Sequence, residues 1–366
     1  MKEKILVITS GFYPTNSPRS FRSTQLVKEL CRLGHDVTVM THIEDTKVID
    51  FANDIGFKLI DLGKRSFRPI TSKLTYLNFL FRVLNRLLNL FFEYPEIEIF
   101  FQVKKVLNRS NEKYDRLISI AAPHPIHWAV AWSWNKKDPI ARKWIADCGD
   151  PFYGNHVDTF RRPFYFKFIE KMWCEKCDFI AITHIALATS FLPEYLHKIV
   201  EIPQGYNLDE ENKLVSEYIK NEIPTFAYAG SFVPVHRDPT EMLEWLVKYE
   251  KPFKFYIFTR NTAFVEKFVS LSDNRIILRD YINRNELISF LSLMDFNINF
   301  MYDPTRYAPS KIVDYFIAKR PILNIDYKLD ETKAAQFLSG DYLNAFKPFE
   351  MDRFDIKFIT QKFLNI

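Results

Sequence analysis

Short β-branched apolar runs alternate along this chain with longer stretches whose apolar residues recur every three or four positions. Ile5 to Thr9 is the first such run and Asp36 to Thr41 the second. Between them a polar loop leads into a helix that starts near Ser20 and stops at Gly34, a residue suited to the left-handed position after a helix. Further strands are predicted at Phe57 to Asp61, Tyr114 to Ile120, Asp178 to Thr183 and Ile199 to Ile202. A second series follows at Thr225 to Ala229, Phe253 to Phe258, Ile276 to Leu278, Phe296 to Phe300 and Ile322 to Ile325. Helical periodicity marks Leu74 to Phe92, Glu96 to Asn108, Pro163 to Cys177, Ala263 to Val269, Asn285 to Leu293, Lys311 to Ala318 and Arg353 to Ile366. Repeated strand, helix, strand units predict parallel sheets, so the fold class is α/β.

Composition adds limits. A chain of 366 residues is long enough for two domains, and 47% apolar residues is ample for their cores. The formal charge of +5 is too small to make nucleic acid the expected partner. No apolar run approaches the roughly 18 residues that span a bilayer, and Lys2 to Thr9 reads as a strand rather than a signal peptide. A cytoplasmic location is therefore expected. The four cysteines include one C-x-x-C, Cys174 and Cys177. It has no second pair and falls in a predicted helix, so core packing is its expected role and no metal ligation is expected.

Several residues carry candidate chemistry. Gly11 follows the first strand and lets a ligand approach the backbone; Arg19 and Arg22 follow in the loop and could meet phosphate or an acidic group. His124 and His127 lie in a loop after the strand that ends at Ile120, where an imidazole can exchange protons with a hydroxyl near neutral pH. Asp147 and Asp150 flank Cys148-Gly149 before Pro151 and can serve as acids or as turn formers. Near the end, two prolines precede Ser310, a good N-cap, and Pro321 stops the helix that follows. A helix opening at the carboxyl edge of a strand offers free N–H groups and a positive dipole end to a phosphate. The helix from Leu74 to Phe92 is densely apolar, with Arg82 and Arg86 four residues apart. It reads either as a helix lying on an anionic inner leaflet or as one packed on its domain with basic residues in solvent.

Taken together, Pro309-Ser310-Lys311, then Asp314-Tyr315, then Lys319-Arg320-Pro321 resemble the donor-binding segment of family 4 glycosyltransferases of the GT-B fold. The resemblance extends to Gly11-Phe12-Tyr13-Pro14, to Trp144-Ile145-Ala146-Asp147 with Asp150-Pro151, and to Ile202-Pro203-Gln204-Gly205-Tyr206. It implies two Rossmann-like α/β/α domains facing a cleft: an acceptor-side domain over 1–203, a nucleotide-sugar domain over 204–350, and a last helix, 351–366, crossing back to the first. It implies transfer of a sugar from a nucleotide diphosphate sugar to a glycan or lipid-linked acceptor. The reaction would be retaining and metal-independent, with no cofactor, in bacterial surface-polysaccharide synthesis at the inner face of the cytoplasmic membrane.

The implied donor contacts are Gly11, Gly230, Ser231, Arg237, Tyr281, Ile282, Pro309, Ser310, Lys311 and Asp314, the last as the ribose ligand. Arg19, Arg22, His127 and Asp147 fall on the acceptor side, and His124, Asp150, Arg237 and Lys311 are the implied catalytic set. This chain departs from the family pattern at four places. Asp314 replaces a glutamate, Arg306 stands where a second glutamate is usual, Ser231 replaces an arginine, and Gly149 stands where a basic residue is common. Arg306 suggests a donor sugar bearing a carboxylate. The alternatives are a nucleotide-sugar epimerase of the same fold and a non-catalytic GT-B subunit.

Overall fold

The computed structural model describes residues 2–15, 17–71, 78–154, 160–232, 237–300, 310–326, 328–347 and 351–366, and only the backbone of Ser310, Lys311 and Met351. Two compact units divide the chain: residues 1–206 with 353–366, and residues 207–352.

The first unit runs β1 (Lys4–Thr9), α1 (Pro18–Arg32), β2 (Asp36–Thr41), α2 (Lys47–Ile55), β3 (Lys58–Asp61), α3 (Asn78–Phe92), α4 (Glu98–Leu107), β4 (Tyr114–Ala121), α5 (Pro125–Ser133), β5 (Ala141–Cys148), α6 (Tyr165–Lys176), β6 (Phe179–Ile182) and β7 (Ile199–Glu201). Its seven strands are parallel, in the order β3-β2-β1-β4-β5-β6-β7. Side chains alternate between the faces, as pleating requires. Leu6 and Ile8 pack with Leu117 and Trp144 on one face, and Ile5 and Val7 with Val39 and Ile118 on the other. With both faces covered, the strands read as continuous apolar runs.

The second unit runs α7 (Leu208–Asn212), β8 (Thr225–Ala229), α8 (Thr240–Lys248), β9 (Lys254–Phe258), α9 (Glu266–Leu271), β10 (Ile276–Arg279), α10 (Arg284–Ser292), β11 (Phe296–Phe300), α11 (Ser310–Ile317), β12 (Ile322–Ile325) and α12 (Glu331–Leu338). Its parallel sheet has the order β10-β9-β8-β11-β12. Phe226 pairs in register with Phe255 on one side and Phe296 on the other, and its ring stacks on both at 4.6 and 4.5 Å. This aromatic ladder fixes the register of the three central strands.

The last helix, α13 (Ile356–Asn365), belongs to the first unit and packs on α1. Arg116, buried in β4, donates to the carbonyls of Phe363, Leu364 and Ile366, groups left unbonded at the helix end. The helix α5 differs from the loop expected after Ile120. Its residues Pro125–Ala131 are buried on all sides, so their apolar positions carry no helical period. The helix α2 has no counterpart among the expected elements.

Candidate functional site

In each sheet the strand order reverses beside the first strand of its unit, between β1 and β4 and between β8 and β11. Chains leaving such a pair turn to opposite faces and open a crevice at the carboxyl ends, where ligands bind in open α/β sheets. Gly11, His124 and the Cys148–Asp150 turn follow β1, β4 and β5; Gly230 and Ser231 follow β8.

At the first crevice, Ser17 caps α1 by accepting from Ser20 N, and the hydroxyls of Thr9 and Ser23 donate to the Gly11 carbonyl. A Cβ on Gly11 would stand 3.0 Å from Ser20 Oγ, so glycine lets the first turn of α1 press close. That turn carries Arg19. Its Nη2 donates to Asp150 Oδ2 at 2.9 Å, and its guanidinium lies over Gly149, where an added Cβ would be 1.6 to 1.8 Å from guanidinium atoms. The departure at Gly149 thus makes room for Arg19, and a basic group stands there after all. Asp150 is held a second time: its carbonyl accepts from His124 Nε2 at 3.1 Å.

Three expected acceptor-side residues are not available to a substrate. Arg22 and Asp147, 2% and 0% exposed, form a sealed ion pair. Nε and Nη2 of Arg22 donate to Asp147 at 2.6 and 2.8 Å, and Nη1 and Nη2 donate to the carbonyls of Pro203 and Ile202. Every charge there is answered inside the protein, so neither side chain is free to meet phosphate or sugar. His127 is wholly buried, with Nδ1 2.8 Å from Ser119 Oγ and Nε2 3.3 Å from Cys148 Sγ. His124, expected to meet a sugar hydroxyl, is also buried, and its Nε2 is engaged by Asp150. Burial, reinforced by the charge of Arg19, lowers its pKa to about 3. Burial and the neighbouring His124 hold His127 far below the usual range too. Both rings are neutral near pH 7 and unsuited to storing a proton for a substrate.

At the second crevice, Tyr315 of α11 clamps the end of β8. Its hydroxyl accepts from Ala229 N at 3.0 Å and donates to Ala229 O at 3.3 Å. Gly230 N donates to Phe258 O, and Ser231 is exposed, with its carbonyl accepting from Tyr228 Oη. Arg237 is half-buried, and its positive charge acts on the Tyr228 phenol. Asp314 is gripped by Arg284 through Nε at 2.9 Å and Nη2 at 2.8 Å, while Nη1 of the same arginine holds Glu211. A ribose would therefore meet a carboxylate already oriented by a cation. Tyr281 is exposed, its ring 4.9 Å from the Arg260 guanidinium carbon, and Ile282 beside it is half-buried. Ser310 and Lys311 open α11; Arg306 and Pro309 lie outside the described residues. Tyr315 as a clamp, Arg284, and Cys148 beside His127 leave no local mark in the sequence, because each depends on residues far apart in the chain.

The surface of α3 is unusual. Of its residues only Leu90 is buried, while Phe79, Leu80, Leu87 and Phe92 are exposed beside Arg82 and Arg86. The start of α6 adjoins its end: Arg162 pairs with Glu93 and donates to Asn89 O, and Tyr165 Oη donates to Phe91 O. Phe164 and Phe168 add their own exposed rings there. No helix among the described residues is long and apolar enough to cross a membrane.

No protein-family profile and no curated protein matches the chain. Solved structures do. A glycosyltransferase from Rickettsia africae superposes with a TM-score of 0.62 at 12% identity, covering 100% of this chain and 97% of its own. The lipopolysaccharide outer core galactosyltransferase WaaB gives 0.60 at 10% identity, covering 99% and 98%. Anabaena HepE, solved with UDP and glucose, gives 0.54 at 11% identity, covering 99% and 98%. These neighbours are GT-B glycosyltransferases, and the likeness to them, together with two parallel Rossmann-like sheets, establishes that this chain has the GT-B fold.

Proposed function

We propose that the chain transfers a sugar from a nucleotide diphosphate sugar to a hydroxyl of a glycan or lipid-linked acceptor in bacterial surface-polysaccharide synthesis. The observation that carries this reading is the end-to-end correspondence of both units with glycosyltransferase structures, one of them holding UDP and glucose. In the second unit, exposed Ser231, Arg237, the opening of α11 with Lys311, and Asp314 gather near the β8–β11 reversal or flank it in sequence. There they would bind the diphosphate and ribose, with Tyr281 and Ile282 at the base. In the first unit, Arg19 and Asp150 would meet the acceptor or the sugar, with His124 positioning Asp150.

The acceptor oxygen bonds to the anomeric carbon as the bond from that carbon to the diphosphate oxygen breaks. The acceptor's proton passes to the departing diphosphate. Arg237, Lys311 and the α11 dipole would stabilise the charge developing on that leaving group, so no divalent ion would be required. Attack from the face that the diphosphate leaves would retain the configuration. The outward face of α3 and α6, apolar with arginines and without an acid on α3, suits the anionic inner leaflet where a lipid-linked acceptor resides.

Thermal unfolding with nucleotide diphosphates and their sugars tests the donor site. At a hundredfold excess over its dissociation constant, the true ligand adds about 2.7 kcal/mol of apparent stability, and Arg237→Ala abolishes most of the shift. Transfer to acceptor should then proceed without added Mg2+ or Mn2+. If no nucleotide shifts the transition and no transfer occurs with any acceptor lipid extract, the reading fails. Flotation with anionic and with neutral vesicles tests the surface, with Leu80→Ser/Leu87→Ser expected to release the chain from the anionic ones.

A further inference from the structure

We propose that His124, His127 and Cys148 form a buried site for one thiophilic metal ion, zinc(II) or copper(I), beneath the Gly149–Asp150 turn. One nitrogen from each ring and the Cys148 sulfur lie within 4.8 Å of one another, and all three side chains are buried. The best-defined pair already has the right spacing. His127 Nε2 and Cys148 Sγ are 3.3 Å apart, and ordinary metal–nitrogen and metal–sulfur bonds on tetrahedral zinc separate such atoms by about 3.5 Å.

The second observation is the state of the remaining nitrogens. A metal-bound imidazole commonly donates its other N–H to an oxygen, which fixes the tautomer and the ring. Here His127 Nδ1 faces Ser119 Oγ, which also accepts from Trp144 Nε1 at 2.8 Å. His124 Nε2 donates to the Asp150 carbonyl, leaving Nδ1 as its lone-pair atom. That nitrogen is buried and has no hydrogen-bond partner among the described residues, a costly arrangement unless something occupies its lone pair. Two anchored rings, an orphaned nitrogen and a thiol form a ligand set of borderline-soft character, the kind that favours zinc or copper(I) over magnesium or calcium.

Binding would release the thiol proton to solvent as the metal–sulfur bond forms, leaving both imidazoles neutral. The ion would tie the start of α5 to the end of β5, since His124 precedes α5 and Cys148 closes β5. It would thereby stiffen the turn that carries Asp150. In the proposed glycosyl transfer the ion would act only through the turn that carries Asp150, and its uptake is measured independently of that reaction.

The full chain, purified and freed of metal by chelation, is titrated with Co2+ as the spectroscopic stand-in for zinc and, separately under reducing conditions, with Cu+. In one arm we expect about one equivalent bound, with a sulfur-to-metal charge-transfer band in the near ultraviolet, and Cys148→Ala reduces that uptake at least tenfold. Cys31→Ala, which alters a thiol outside the cluster, leaves it unchanged. Circular dichroism of the metal-free variants shows whether they are folded; His127→Gln supplies a second loss if Cys148→Ala is not. A folded wild type that takes up neither ion overturns the proposal, as does uptake that survives both substitutions with its sulfur band intact.

Discussion

Two arginine–aspartate pairs lie one helical turn apart, joining α1 to the end of β5. Arg22 and Asp147 are sealed, every donor of the guanidinium that faces inward finding an acceptor, while Arg19 and Asp150 are 19% and 64% exposed in their side chains. The residue types are the same and the consequences are opposite. A buried pair costs several kcal/mol per ion in desolvation, recovered only while both partners are present. An exposed pair gains little and loses little, so its charges remain available for another partner. The sealed pair holds α1, β5 and the segment after β7 together; the open pair keeps its charges within reach of solvent.

The largest effect expected is on stability at the sealed pair. Asp147→Ala leaves Arg22 buried and unanswered and should cost about 3–5 kcal/mol in urea denaturation. Arg22→Met with Asp147→Leu should recover most of that. A loss below about 1 kcal/mol for Asp147→Ala would show the pair to be wetter than its burial indicates.

Glu170 is a third case, buried with no cation paired to it among the described residues. Its Oε2 accepts from Tyr153 N, its Oε1 has no partner among the described residues, and burial raises its pKa from 4.5 to about 7. A carboxyl raised on folding stays protonated in the native state where the unfolded chain has lost its proton. Its stabilising contribution is therefore whole below about pH 4.5 and is lost as pH rises to about 7. In the metal-free chain, Glu170→Gln should flatten this fall and be more stable than wild type above pH 7 by at most about 3 kcal/mol. Parallel pH–stability curves for the two proteins would show that Glu170 is already paired or hydrated.

At the open pair the effect should appear in turnover. Arg19→Ala should lower kcat/KM for transfer by about ten- to a hundredfold, or about 1.4–2.7 kcal/mol of transition-state stabilisation. Gly149→Ala should do the same by evicting the guanidinium, since its Cβ has no room beside it. Normal activity in Gly149→Ala would mean that Arg19 works from elsewhere or not at all. Smallest is the effect of Arg19→Ala or Asp150→Ala on denaturation midpoints, within about 1 kcal/mol. A larger loss would make the open pair structural as well and remove the contrast.

Periodicity along the chain was enough for most strands, for the α/β class and, through the resemblance, for the GT-B fold. Phe296, Ile298 and Phe300 spell out β11 because the side-chain period of a strand is local. α5 was not legible, because a helix buried on every side has no polar face to set its period. Chemistry was less legible than fold. Arg19 and Arg22, or His124 and His127, are equivalent in sequence, each pair three residues apart on or beside one helix. Only packing decided which arginine is sealed and that both imidazoles are interior. The physical reason is that burial, and with it charge state and availability, is set by contacts across more than a hundred residues of chain, as between Arg22 and Asp147, 125 positions apart. Local patterns specify elements; the desolvation that separates a sealed ion pair from an open one exists only after the sheets have assembled.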